Sequence, residues 1–534
     1  MNESGKRPSG FGRQARTLLT RLQSLRTTNA PDAPALSLRD PWPGDPRRGA
    51  RLVKAELDFG GAVLAMPPDI FSAVNATPLL RAHLHGFTWL RDLRALGTDA
   101  ARSRARALVS DFMDTHPLDP QASSPDATGA RLAAWLGHYD FFAASADDDF
   151  RQRLMHRLVQ DARNLATALP PELLDQRALT ALKGLAAAAI AMPEHAPYLP
   201  RVLKFLTPEL ARQFFADGCH VERSPAAHLA ALQDLTELRA LLQVANVPPP
   251  AELLTTIDRA AAAMRSLRHT DGGLALFNGA KEEVPSLIDL VLAQAGRARG
   301  ALAPLAACGL YRIAAAKSLL FIDAGPPAAP GLDRFAHAGT LGFEFSYGKE
   351  RLIVNCGAAP ALAGEWSAAL RGTAAHSTLT IADVSSAEVR ESGLGRRPAH
   401  VHSTRQDYGG VHWIEGNHDG WGKLFGAIHH RRLMLAETGD ELQGEDLIEA
   451  KNPQPFIIRF HLHPNVTASL QQDNEAVLLR TPGGLGFRLR AEGVPIRIEE
   501  SVYFGQTEPR RAEQIVLAGH QDGPQHVKWT ITRI

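Results

Sequence analysis

Leu319-Leu-Phe-Ile-Asp323, the Pro/Gly break Gly325–Gly331, and then Gly342-Phe-Glu-Phe-Ser-Tyr347 and Arg351-Leu-Ile-Val-Asn355 decide the fold. Apolar residues here come in short runs or alternate with polar ones, which is the period of a β-strand. Ahead of this stretch the period is different. Leu229-Ala-Ala-Leu-Gln-Asp-Leu-Thr-Glu-Leu238, Phe150-Arg-Gln-Arg-Leu-Met-His-Arg-Leu158 and Ala130-Arg-Leu-Ala-Ala-Trp-Leu136 repeat their apolar residues three and four apart, giving each helix one buried stripe. Pro-rich breaks at 117–120, 170–171, 193–200 and 248–250 cut these helices to hairpin lengths. Beyond residue 350 the strand signal continues through Val411-His-Trp-Ile-Glu415, Arg431-Arg-Leu-Met-Leu435, Phe456-Ile-Ile-Arg-Phe-His-Leu462 and Val527-Lys-Trp-Thr-Ile-Thr532. Helices first and strands second predict a multidomain α and β chain. Stacked helical hairpins, either a solenoid or a closed toroid, are followed by an antiparallel β-sandwich. The expected divisions are a flexible basic arm over 1–40, the helical domain over 41–310 and the sandwich over 311–534.

Composition narrows the function. At 534 residues, 45% hydrophobic and 22% charged, the chain can bury more than one sizeable core. A net charge of +1 offers no global attraction for nucleic acid or anionic membranes, so a polyanion site must be a local cluster of Arg, Lys and His. Cys219, Cys308 and Cys356 make no metal-type spacing and read as free thiols. The basic residues between Lys6 and Arg26 are followed by no apolar h-region, and no run approaches the ~18 apolar residues of a membrane span. A cytoplasmic location is therefore expected, without a transmembrane segment. Oligomeric state is not legible.

Histidine is the informative residue type, with twelve of 21 lying after residue 330. Asp217-Gly-Cys-His220-Val-Glu222-Arg223-Ser-Pro-Ala-Ala-His228 crowds polar groups ahead of a helix whose predicted N-cap is Ser224, with Pro225 at its first position. A helix start alone accounts for the cap but not for His, Glu, Arg and His within nine residues. Arg268-His269-Thr-Asp271 enters a turn-rich loop. Arg371-Gly-Thr-Ala-Ala-His376 enters a strand, and His418-Asp419-Gly-Trp421 precedes His429-His430-Arg431-Arg432. His461 and His463 share a strand face.

These segments resemble the heparinase II/III-like family over nearly the whole chain. The resemblance is carried by Trp42-Pro-Gly-Asp-Pro46 with His85-Gly-Phe-Thr-Trp-Leu90, Asp217 to Pro225, His337-Ala-Gly-Thr-Leu-Gly-Phe-Glu-Phe345 with Val354-Asn-Cys-Gly357, and Arg371 to Thr378 with His429-His-Arg-Arg432. It implies an incomplete (α/α) toroid followed by an antiparallel β-sandwich, and a polysaccharide lyase, a carbon–oxygen lyase that cleaves a uronate-containing chain such as a glycosaminoglycan by β-elimination. Such chemistry needs a group to neutralise the uronate carboxylate, a base for the C5 hydrogen and an acid for the departing O4. Carried over residue by residue, the resemblance implies His220 or its neighbour Cys219 as the group that neutralises the carboxylate, Glu222 as its support and His376 as a catalytic histidine, with Tyr408 or His269 as the candidate proton carrier in place of a toroid tyrosine. Arg223, Arg268, His269 and Trp421 would contact the substrate. No cofactor is required, although His376, His429 and Glu388 fall where a structural zinc would sit. The partner implied is an acidic polysaccharide, and the family places such a protein in the cell envelope or periplasm as the alternative to the cytoplasm.

One departure matters. The family's proton carrier is commonly a toroid tyrosine, and here the corresponding stretch is Ala263-Met-Arg-Ser-Leu-Arg268, with no tyrosine between Tyr198 and Tyr311. The alternative reading is therefore a catalytically degenerate protein that binds glycan in the same inter-domain cleft. A scaffold whose toroid holds a protein partner is the third.

Overall fold

The computed structural model describes residues 30–534 apart from 61, 73–76, 116–118, 297–300, 360–364 and 472–473. The basic segment Lys6–Arg26 therefore lies outside the described residues. Helices dominate as far as Pro285–Ala295, and the first sandwich strand begins at Leu310. The N-terminal half is not wholly helical. Glu56–Phe59 and Ala62–Ala65 pair as a small antiparallel hairpin, which the helical periodicity on either side concealed.

Two inner helices, Pro125–Gly137 and Arg177–Ala191, approach so closely that side chains are excluded between them. A Cβ on Gly184 would lie 2.1 Å from the Gly129 carbonyl oxygen. The run of alanines around Gly184 has the same cause, because only small residues allow this separation. Arg131 is fully buried, and its charge is answered by Asp161 at 2.8 Å and by the carbonyls of His85 and Ala122. Pro225–Val244 starts as expected. Ser224 Oγ accepts from the Ala227 amide and Pro225 occupies the first turn, where a missing N–H costs nothing. Residues 35–40, expected in a flexible arm, are instead fastened to the toroid. The Ala35 and Asp40 amides donate to the last carbonyls of two inner helices, Ala191 and Gly137. The orphan acceptors of those helix ends are thereby satisfied.

The sandwich has two antiparallel sheets. One runs from Val401–Tyr408 through the strands beginning at Val411, Ala427, Glu441 and Gln525, and then to the Gly486, Ala476 and Thr467 strands. The second contains Leu310–Ala315, Ser318–Asp323, Phe343–Tyr347, Glu350–Val354, Gln454–Leu462 and the two strands that begin at Ile496 and Arg510. Between the sheets, Trp529 stacks on Phe343 at 5.5 Å and lies edge-on to Phe460 at 4.8 Å. Among the described residues no helix is long and apolar enough to cross a membrane.

Polar residues tie the two halves together. Arg223 donates to the carbonyls of Cys308 and Pro326 and to the Asp323 carboxylate. His269 Nε2 meets Glu344 at 2.8 Å, and Arg351 binds Asp271 at 2.7 Å. Asn278 donates to Asp323 and accepts from the amide of His337. Arg223, His269, Asn278 and Arg351 each find a partner in the other half of the chain.

Candidate functional site

A cavity of about 360 Å³ opens where the toroid meets the sandwich, lined by Arg334, His337, Arg371, Arg390, Glu391 and the start of the helix at Pro78 among others. Among the described residues, His337 is the one histidine that lines it. His376 lies behind it, with Nδ1 2.8 Å from the carbonyl of Gly372 and Nε2 3.0 Å from His337 Nδ1. A carbonyl can only accept, so His376 Nδ1 carries its proton and its Nε2 is the acceptor in the neutral ring. His337 Nδ1 then donates. Its Nε2 is left as a lone-pair acceptor, with no protein partner among the described residues.

Both rings stay neutral. Burial holds His337 well below the usual imidazole value, helped by the neighbouring His376 and Arg371. Burial likewise brings His376 down to about 4. The loop carrying His376 is fixed from below by His461, whose Nε2 lies 2.9 Å from the Ala374 carbonyl. The Arg371 guanidinium holds the surrounding turns through the carbonyls of Ala336, Arg390 and Gly393. Arg334 differs. It is half-buried, its guanidinium lies 5.1 Å from the Phe335 ring, and it has no hydrogen bond or ion pair among the described residues. The cavity thus presents one free imidazole nitrogen and one uncommitted guanidinium.

Gly339 makes the histidine pair possible. A Cβ there would lie 2.6 Å from His376 Cδ2 and 2.9 Å from its Nε2. Gly339→Ala is expected to cost about 1–3 kcal/mol by overpacking and to break the His337–His376 bond. Chemical denaturation reads the first effect, and the imidazole NMR signals of the two rings read the second. Unchanged ring signals would show that the pair does not depend on this close approach.

Most residues singled out from sequence lie elsewhere. His220 is fully buried, with Nε2 2.8 Å from Gln213, so it faces the toroid core. Glu222 is buried beneath the Gln176 amide, and burial with Asp175 nearby pushes its carboxyl up to about 7. Arg223 and His269 are engaged at the domain junction described above. Arg268 binds the Gly272 carbonyl and Asp289. Tyr408 is 87% exposed at the tip of the hairpin formed by the Val401 and Val411 strands and does not line the cavity at the seam. Trp421 is buried, its indole N–H donating to the Val384 carbonyl, and has no face free for a sugar. Of the expected residues, only His376 contributes to the cavity, and it does so through His337. His337 and Arg334 carried no assigned role in the sequence. The available signal was a histidine at the entry to the Gly342–Tyr347 segment, next to glycines that allow close approach.

The three residues expected at a zinc ion do not form one cluster: both nitrogens of His376 are engaged, Glu388 is exposed beside Arg390, and His429 Nε2 is 2.7 Å from Asp446 while its buried Nδ1 has no partner among the described residues. Among the described residues, no three His, Cys, Asp or Glu side chains converge on a point where they could hold a metal. A second cavity of about 380 Å³ occupies the toroid lumen. Its Lys183 is engaged with Asp234 and Glu237 at 2.7 and 2.9 Å.

A helical toroid joined to a two-sheet sandwich, with a histidine-bearing cavity at the seam, is the architecture of a recognised group. Residues 112–295 match the heparinase II/III N-terminus and residues 297–530 the heparinase II/III-like C-terminal region. The chain belongs to the heparinase II/III-like family. Over 520 residues it is 33% identical to FtsZ-localized protein C of Caulobacter vibrioides (strain NA1000 / CB15N), covering 92% of this chain and 89% of that one. Its fold is shared with a crystal structure of heparinase III (TM-score 0.75, 12% identity, 98% of this chain and 89% of that chain). It is shared also with heparan sulfate lyase HepC from Pedobacter heparinus (TM-score 0.60, 14% identity, 98% and 88%).

Proposed function

We propose that this chain cleaves a uronate-bearing polysaccharide by β-elimination in the cavity between its two halves, with His337 as the proton carrier. The observation that carries this reading is the free Nε2 of a neutral imidazole sharing a cavity with an unpaired guanidinium. Arg334 draws charge from the uronate carboxylate, which acidifies the C5 hydrogen. His337 Nε2 removes that proton. The C5–H electron pair becomes the C4–C5 double bond, the C4–O4 bond breaks, and the His337 imidazolium returns the proton to O4. The fold shared with a protein named heparan sulfate lyase is consistent with an acidic glycan as substrate.

The purified full chain, incubated with heparan sulfate, alginate and other uronates, is expected to release an unsaturated uronate detected by its ultraviolet absorbance. His337→Ala should slow this by about 10²–10⁴-fold, the usual contribution of a positioned proton carrier. A His337→Ala protein as fast as the parent would remove the proposal.

One observation favours a second reading. Among the described residues no tyrosine lines the cavity, so the phenol that the family resemblance calls for has no counterpart there. On this reading the cavity holds an acidic glycan without cleaving it. Binding of the same polysaccharides without product, weakened by Arg334→Ala and by salt, would establish it. The relative's name also supports a proposal that this chain localises with FtsZ, which a fluorescent fusion would test.

A further inference from the structure

The His429-His430-Arg431-Arg432 segment is only half used by the core. His429 and Arg431 point inward to Asp446, at 2.7 Å each, so His430 and Arg432 face outward. On that outer face the register of five adjacent strands places His402, Asn417, His430, Leu447 and His526 directly opposite one another in one row. At a strand spacing of ~4.8 Å the row spans about 19 Å. Two residues further along the strands, a second row holds Thr404, Glu415, Arg432, Glu445 and Lys528. Most of these residues line a groove of about 420 Å³ that shares no lining residue with the His337 cavity.

The chemistry of the groove narrows its ligand. Arg432 is engaged by Glu415 and lies 3.8 Å from Glu445, so the central cation is not available to a polyanion. His526 Nδ1 is taken by Glu445 at 3.0 Å. The side chains of Asn417 and His402 have no hydrogen-bond partner among the described residues, and His430 has only Glu449, at 3.5 Å. Leu447 is the one large apolar side chain among the lining residues, too little to hold an apolar peptide. What remains is a nearly neutral floor of planar side chains, each able to donate or accept. Hydroxyl groups require that combination, since each both donates and accepts.

We propose that this sheet face is a second binding site, for a linear neutral oligosaccharide laid across the five strands. The polar rows supply its hydrogen bonds, and the opposed Glu415, Arg432 and Glu445 charges select against an anionic chain. It is separate from the proposed elimination site and does not depend on it.

The test is calorimetric titration of the full chain with cellotetraose, chitotetraose and a uronate tetramer. At least one neutral tetramer should bind, and Asn417→Ala and His430→Ala should each weaken it by about tenfold, one to two hydrogen bonds' worth. His337→Ala should leave that affinity unchanged. Both substituted side chains face outward, and a melting curve matching the parent's confirms that each variant is folded. The proposal is overturned if neither neutral tetramer binds. It is equally overturned if Asn417→Ala and His430→Ala bind as the parent does, if His337→Ala abolishes the neutral signal, or if the uronate tetramer proves to be the ligand that Asn417→Ala loses.

Discussion

Between pH 7 and pH 5 the protein is expected to lose a substantial part of its stability. Seven buried histidines, at positions 85, 138, 195, 220, 228, 376 and 461, are pushed down to about 4 or about 3, in each case chiefly by burial. Each is neutral when folded and takes a proton near pH 6.5 once unfolded, so below 6.5 the unfolded chain binds more protons. Their contribution is therefore complete above about pH 6.5 and falls steadily as the pH drops towards the folded values. At pH 5 each costs up to about 2 kcal/mol, and together they reach on the order of 10 kcal/mol, comparable with the whole stability of a typical domain. Circular dichroism melts at half-unit steps of pH measure this directly. A melting temperature that does not move between pH 7 and pH 5 would mean that these rings are protonated in the folded state.

Asp323→Ala should be the most damaging single change at the domain junction. It removes the carboxylate from Arg223, leaving a buried guanidinium with two carbonyls and no counter-charge, and it also removes an acceptor from Asn278. Breaking a buried pair from one side costs about 3–5 kcal/mol. Since Asn278 also accepts from the His337 amide, the same change should loosen the wall of the cavity. Urea denaturation reads the first effect. Protection of the His337 amide from hydrogen exchange reads the second. If Asp323→Ala matched the parent in both, the junction would be held by its other contacts alone.

The fold was largely legible because its signals are local. The three- and four-residue spacing of the helices, the Ser224-Pro225 start and the alternation of strands such as Arg431–Leu435 are set within a few residues of chain. The small hairpin at Glu56–Ala65 escaped because four-residue strands barely establish a period. The site was far less legible. His220, Arg223 and His269 were the right residue types in the right segments, but sequence could not show that their partners are Gln213, Asp323 and Glu344. Arg223 and Asp323 lie 100 residues apart. A polar group already answered by a buried partner and one left free for a ligand look identical in one dimension.

Sequence alone determined that packed helices come first and an antiparallel sandwich second, because periodicity decides which face of each element must leave water. Tertiary structure alone decided which histidine is available. His376 is turned inward and committed on both nitrogens, while His337, through that same hydrogen bond, keeps its Nε2 free at the cavity. That choice depends on the approach of Gly339 to His376, a contact between separate segments that no spacing along the chain records.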